Sequence, residues 1–240
     1  MSDELSEVRQ RVEAENNRLM AFVESHGGRL GQNLARVRSL VSVYNQRHGT
    51  GRGRRRVADM DVLRAAVVFL HASVEDFLRS MAAVQVPLAS EDVLNAVPLV
   101  GSLSSRPEKF FLGKLAAFRG YSVDEVIRRS VAQHLERTTY NSAAEIAALL
   151  RGMGVDVSRV EKYFPALEEM IQRRHRIVHR ADRVEQLGRG RHHAKPLAVS
   201  TVENWIMAAQ GFMTETMAAI AVAPLVSLMT NPPVTPTSSQ

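Results

Sequence analysis

An all-α fold is what this sequence predicts, on three observations. Ser followed three residues later by Glu, a helix-start signature, recurs at Ser105/Glu108, Ser122/Glu125, Ser142/Glu145, Ser158/Glu161 and Ser200/Glu203. Apolar residues at three- and four-residue steps follow most of these sites. No segment alternates apolar and polar residues between turn dipeptides, so no sheet is expected.

Residues 3–25 read as the first helix, with Leu5, Val8, Val12, Leu19 and Phe22 as a thin apolar stripe. Gly27 and Gly28 are expected to break it, with a second piece over residues 30–47. So thin a stripe suits a helix resting against something else, such as a second protomer. Residues 1–48 thus read as an N-terminal helical extension, and residues 49–58, rich in Gly and Arg, as a flexible basic linker.

The main domain is expected over residues 59–222. Leu63, Val67, Leu70, Val74, Phe77 and Met81 form a continuous stripe, widened by Val62, Val68 and Phe69, which predicts a heavily buried helix. Pro87 and Pro98 bracket an irregular connection. Helices are predicted over 107–118, 122–137 and 142–151, the last stopped by Gly152 and Gly154. A turn from Ser158 leads to a helix opened by Pro165 and running to about Asp182. A basic loop over 188–196 precedes a final helix over 201–221, striped by Val202, Ile206, Ala209, Phe212, Met213 and Ile220. Residues 223–240 read as a tail, disordered over the Pro-, Ser- and Thr-rich stretch 231–240.

Composition narrows the chemistry. There is no cysteine, which excludes a disulfide scaffold, a thiolate zinc site and a cysteine nucleophile. That suits a cytoplasmic protein. The acidic start carries no signal-peptide pattern, and the most apolar stretches, 62–70 and 218–228, are too short to cross a membrane. The formal net charge of +6 suits a polyanionic partner. The basic residues gather in two clusters, Arg52–Arg56 and residues 173–195, the second holding four of the eight histidines.

The helix opened by Pro165 is the informative segment. Its apolar positions are Leu167, Met170, Ile171 and Val178, and their spacing puts Arg174 on the same stripe. A desolvated charge costs several kcal/mol unless paired or used. Arg174 therefore sits at the stripe's wet edge, pairs with a buried acid such as Glu75 or Asp76, or serves a ligand. His175 and His179, four apart, share a helix face. That spacing also fits a metal pair, but no third ligand stands nearby, so no metal or other cofactor is expected.

The string Arg173-Arg174-His175-Arg176-Ile177-Val178-His179-Arg180 resembles the Arg-polar-x-x-x-His motif of HEPN domains (higher eukaryotes and prokaryotes nucleotide-binding). Arg174 matches the motif arginine, His175 the polar position and His179 the motif histidine. Ser73-Val-Glu-Asp-Phe-Leu78 resembles the opening core helix of prokaryotic HEPN families, and the likeness covers about residues 59–221. His175 departs from the commoner Asn. The resemblance implies a HEPN-like up-and-down helical bundle carrying extra N-terminal helices. It implies a metal-independent endoribonuclease in which the 2′-OH attacks the neighbouring phosphate. It also implies a homodimer with the motif helices facing each other, since Arg174 and His179 stand about 140° apart on a regular helix. Histidine suits the proton transfers and arginine the phosphorane charge. Arg173, Arg176, Arg180, Arg183, Arg189 and Arg191 would flank the groove and hold RNA. Stand-alone prokaryotic members resemble toxins or phage-defence effectors, which implies an antitoxin or other regulatory protein as partner. Three alternatives stay open: a non-catalytic HEPN-like module binding nucleotide, RNA or protein; a DNA-binding regulator using Arg52–Arg56; and a purely structural helical protein.

Overall fold

The computed structural model describes residues 2–48, 57–102, 112–183 and 195–230, and every regular element among them is a helix. Four long helices form the frame: α1 (Ser2–His48), α2 (Val57–Gln85), α6 (Phe164–Arg180) and α7 (Val199–Thr230). Between α2 and α6 lie α3 (Glu91–Leu94), α4 (Val123–Arg137), α5 (Ala143–Gly152) and four short 3-10 helices.

Cross-contacts fix the direction of each long helix. Arg29 meets Asp76 and Tyr44 meets Met60, so α1 and α2 run antiparallel. Arg64 meets Asp182 at the far end of α6, while Tyr163 meets Glu215 and Trp205 meets Glu169. Thus α6 opposes both α2 and α7. Arg38 donates to Gln210, and Gly27 lies beside Met217, closing the ring between α1 and α7. The frame is an up-down-up-down arrangement.

The core follows from α2. All six residues of its predicted stripe are buried, together with Ala66, Leu78 and Ala82. Leu34, Val37, Val41 and Tyr44 of α1 enter the same core, as do Leu167, Met170 and Ile171 of α6 and Val202, Ile206, Ala209, Phe212 and Met213 of α7. The second half of α1 is therefore a wall of the bundle rather than an appendage. Gly27 and Gly28 do not interrupt it: their cost of about 1 kcal/mol each in a helix interior is outweighed by the tertiary packing of Leu30 and Leu34 just beyond. Phe69, expected to widen the buried face, stays at the surface beneath Arg36, whose Cζ lies 5.3 Å from the ring centroid.

Capping signatures succeed where the chain reverses sharply. The Ser122 hydroxyl accepts from Glu125 N–H to start α4, and Ser142 accepts from Glu145 N–H to start α5, each at 3.2 Å. Two others do not cap. Asp156 takes the cap position before Ser158, and the result is a pair of 3-10 turns; α7 already begins at Val199, ahead of Ser200. The helix expected over 107–118 is a 3-10 helix over Leu112–Phe118 with no buried residue. Ser105 and Glu108, the linker residues 49–56 and the tail residues 231–240 lie outside the described residues. Residues 223–230, expected in the tail, continue α7.

One close approach depends on glycine. A Cβ on Gly211 would stand 2.6 Å from the Tyr163 hydroxyl, so the bare backbone of α7 lets that ring reach Glu215.

The end of α6 is strained. Ala181 closes the helix at φ 47°, and Asp182 follows at φ 53°. The left-handed region costs an L-residue with a Cβ about 1–2 kcal/mol. Ala181→Gly should therefore stabilise the protein by about 0.5–1 kcal/mol, once the greater freedom of an unfolded glycine is subtracted. Urea denaturation checks this; an unchanged or lower midpoint contradicts it.

Candidate active site

Helix α6 positions the motif. Leu167, Met170 and Ile171 anchor its first two turns in the core, and in the last turn only Ile177 still packs against it. Val178, expected on the buried stripe, is consequently 50% exposed. The arginine that enters the interior is Arg173, one residue before the expected one.

Arg173 is 4% exposed, and its Nη2 donates to Asp182 Oδ2 at 2.6 Å and to the carbonyls of Lys195 (2.7 Å) and Pro196 (3.1 Å). Arg64 Nε donates to the same Asp182 oxygen at 2.9 Å, and Arg64 Nη2 to Lys195 O at 3.0 Å. Lys195 N–H closes the ring on Asp182 O at 2.8 Å. Two guanidiniums thus share one buried carboxylate. Burial lowers the Arg173 pKa, and the Asp182 charge opposes that. Arg173 was expected to flank a groove and hold RNA. Its buried guanidinium, committed to this clasp, cannot reach a phosphate at the surface.

Arg174 is half-buried on the side of α6 facing α2. Among the described residues it makes no hydrogen bond or ion pair; burial is the main cause that lowers the His71 pKa on α2, and the Arg174 charge adds to it. Neither acid considered as its partner takes it. Asp76 is gripped by Arg29 on the α1 side through two bonds of 2.6 and 3.0 Å. Glu75 accepts from Tyr140 N–H at 3.2 Å and lies 3.7 Å from Arg79. His175 and His179 are exposed on the adjoining face, their ring centroids 4.5 Å apart at a 44° tilt. Val178 lies beside them. Arg176 is half-buried and Arg180 and Arg183 are exposed; Arg189 and Arg191 lie outside the described residues.

Behind Arg174 stands a polar cluster that the motif did not signal. His71 is 2% exposed, and its Nε2 lies 3.2 Å from Tyr140 O. A carbonyl only accepts, so Nε2 carries the proton and Nδ1 faces Glu75, 3.8 Å away. The Tyr140 hydroxyl is buried with no partner among the described residues, and burial pushes its pKa up to about 12. The signal available was a histidine among apolar residues of α2, four positions before a glutamate.

Burial, ahead of the partly opposing Glu75 charge, lowers the His71 pKa, and burial also lowers that of His134. The unfolded chain takes up these protons near pH 6.5, where the folded chain resists them. Stability is therefore full above about pH 6.5 and is lost as pH falls toward the lowered folded values. Urea midpoints should drop between pH 7 and pH 5, and His71→Gln should flatten that slope. An equal slope in the variant would remove His71 as the cause.

No family model, no curated protein and no solved structure matches this chain. The site is therefore read from its own chemistry. Among the described residues no group of three His, Cys, Asp or Glu side chains is placed to hold a metal ion, and no helix is long and apolar enough to cross a membrane. The arrangement offers a cation without a counter-ion among the described residues, on the same helix as two solvent-facing imidazoles. It can attract a phosphate and exchange protons with groups attached to it.

Proposed function

We propose that this chain is a metal-independent endoribonuclease of the HEPN type, acting as a homodimer with a composite site. One observation carries the reading: Arg174, half-buried, has no acidic partner among the described residues, and it shares α6 with the exposed pair His175 and His179. A desolvated guanidinium is costly unless an anion answers it, and an RNA phosphate is such an anion.

Arg174 and His179 point about 140° apart on their helix. Two copies of α6 facing each other bring both kinds of residue to one groove. Exposed Val178, next to the histidines, supplies an apolar contact for that meeting. In the groove one His179 takes the proton from the ribose 2′-OH. The 2′-oxygen then attacks phosphorus, and the bond from phosphorus to the 5′-oxygen breaks. The second copy's histidine gives a proton to the departing 5′-oxygen. The products are a 2′,3′-cyclic phosphate and a 5′-OH end. Arg174 holds the charge that builds on the non-bridging oxygens, where a planar fork binds two at once. His175, in ring contact with His179, orients it. Arg176, Arg180 and Arg183 would meet the RNA backbone.

Purified protein in EDTA should cut single-stranded RNA and leave cyclic-phosphate ends. Protein that only retards RNA in a gel, with no cyclic ends formed, overturns the enzymatic reading in favour of a binding module. The likeness to stand-alone HEPN ribonucleases suggests a toxin or phage-defence effector working in the cytoplasm with an antitoxin or other regulator. Expression that arrests growth, relieved by His179→Ala, tests that role.

A further inference from the structure

The outward face of α2 presents an aromatic ring to solvent. Phe69 is 43% exposed, although α2 is the central helix of the core, and the Arg36 guanidinium lies over its ring. Arg36 is itself exposed and makes no hydrogen bond or ion pair among the described residues. We propose that Phe69 and Arg36 form a base-stacking subsite for the RNA strand, taking a nucleotide next to the one whose phosphate Arg174 holds. The inference rests on the ribonuclease reading for that register with Arg174, but the stacking itself can be measured without cleavage.

Helix geometry puts this pair within reach of the proposed site. His71, which feels the Arg174 charge, and Phe69 are two positions apart on α2. That spacing is about 3 Å along the axis and about 200° around it, so the two stand on opposite flanks of one helix. The arc between them that faces solvent carries Ala65, Val68 and Ala72, all at least partly exposed. These side chains are short and form a low saddle between the flanks. A strand crossing α2 there spans about 10–12 Å, the width of a helix with its side chains.

Charge selects a polyanion for this face. Every acid of α2 already has a cation. Asp59 lies 3.9 Å from Arg47, Asp61 2.9 Å from Arg64, Glu75 3.7 Å from Arg79 and Asp76 2.6 Å from Arg29. Arg36 on one flank and Arg174 on the other are left without an acid among the described residues. A single strand uses such cations for its backbone and aromatic rings for its bases. The Arg36 guanidinium covers part of the Phe69 ring, and its own plane is a further surface on which a base can stack. A protein partner would instead need large apolar anchors at the centre of its contact. Here the centre is alanine and valine.

The probe is a 2′-O-methyl oligouridylate, which cannot be cleaved because it lacks the attacking hydroxyl. Affinities are read by calorimetry at several salt concentrations. Phe69→Ala should weaken binding about tenfold, the usual effect of losing one stacked base. It should leave the salt slope unchanged, because no charge is lost. Arg174→Ala should instead lower that slope by about 0.7, the share of one phosphate contact on a single strand. Phe69→Trp should restore wild-type affinity, and the oligonucleotide should quench the added indole, with wild-type protein giving the Trp205 background. Unchanged affinity in Phe69→Ala overturns the proposal, and a weaker dimer in sedimentation would then assign the face to a contact between copies. A loss in the alanine variant that tryptophan does not restore marks a packing role and overturns it too, as does wild-type protein that binds no oligonucleotide. Cleavage by Phe69→Ala with an unchanged KM sinks the subsite and spares the nuclease. Quenching and the alanine loss without any cleavage by wild-type protein do the reverse.

Discussion

Asp182→Ala is expected to cost about 3–5 kcal/mol, the range for stripping the partner from a buried charge. Asp182 is 1% exposed, and one of its oxygens receives both Arg64 and Arg173. Alanine leaves the Arg173 guanidinium with only carbonyls for company, beside an Arg64 that keeps Asp61 at 2.9 Å. The damage reaches further than one ion pair. Arg64 and Arg173 also hold Lys195 O, and Lys195 N–H holds Asp182 O, so the clasp ties α2, the end of α6 and the approach to α7 at one point. A loss of that size takes a large share of the 5–15 kcal/mol that typical proteins possess. For a chain of this length it should lower the melting temperature by roughly 10 °C or more. Asp182→Asn separates charge from shape. Asparagine keeps an acceptor oxygen and tolerates the positive φ of this position, so its loss should be smaller and come mainly from the missing charge. Urea denaturation of the three proteins decides the matter. If alanine costs under 1 kcal/mol, the clasp is decorative.

The same clasp shows where the sequence could be read and where it could not. The α2 stripe was legible because about five turns of regular spacing, from Leu63 to Met81, leave one way to bury it. The caps at Ser122 and Ser142 were legible because a hydroxyl three residues before a glutamate has a local job. Gly27-Gly28 misled, since the propensity cost of two glycines is local while the packing of Leu30 and Leu34 is tertiary. The choice between Arg173 and Arg174 was not legible at all. Periodicity places a residue on a helix to within about one position, and here one position separates a buried structural arginine from a half-buried one without an acid. What decides it is Asp182, whose carboxylate reaches Arg173 because the chain turns left-handed at Ala181. That turn carries no glycine to announce it. His71 was hidden for a similar reason: its meaning comes from Tyr140, 69 residues away in sequence.

His179→Ala should slow RNA cleavage by about 10²–10⁴-fold, the usual contribution of positioned proton transfer. Arg174→Ala should slow it by about 10²–10³-fold, through lost stabilisation of the phosphorane. Both residues lie off the buried clasp, so both variants should keep wild-type melting temperatures, and a fall in rate then reports chemistry rather than folding. Arg174→Lys should recover only part of the rate, because a point charge cannot hold two oxygens in a fixed fork. The sharper test concerns the composite groove. A dimer formed from one wild-type chain and one chain carrying both Arg174→Ala and His179→Ala holds one arginine and one histidine in the shared cleft. If the cleft is built from both copies, that dimer lacks one of its two proton-transferring histidines, and an excess of the double variant should suppress wild-type activity by about tenfold or more. If each protomer carries a complete site, the wild-type protomer of every mixed dimer stays active, and activity per wild-type chain does not change. That second result would leave Arg174 and His179 on opposite sides of one helix with no geometry that joins them.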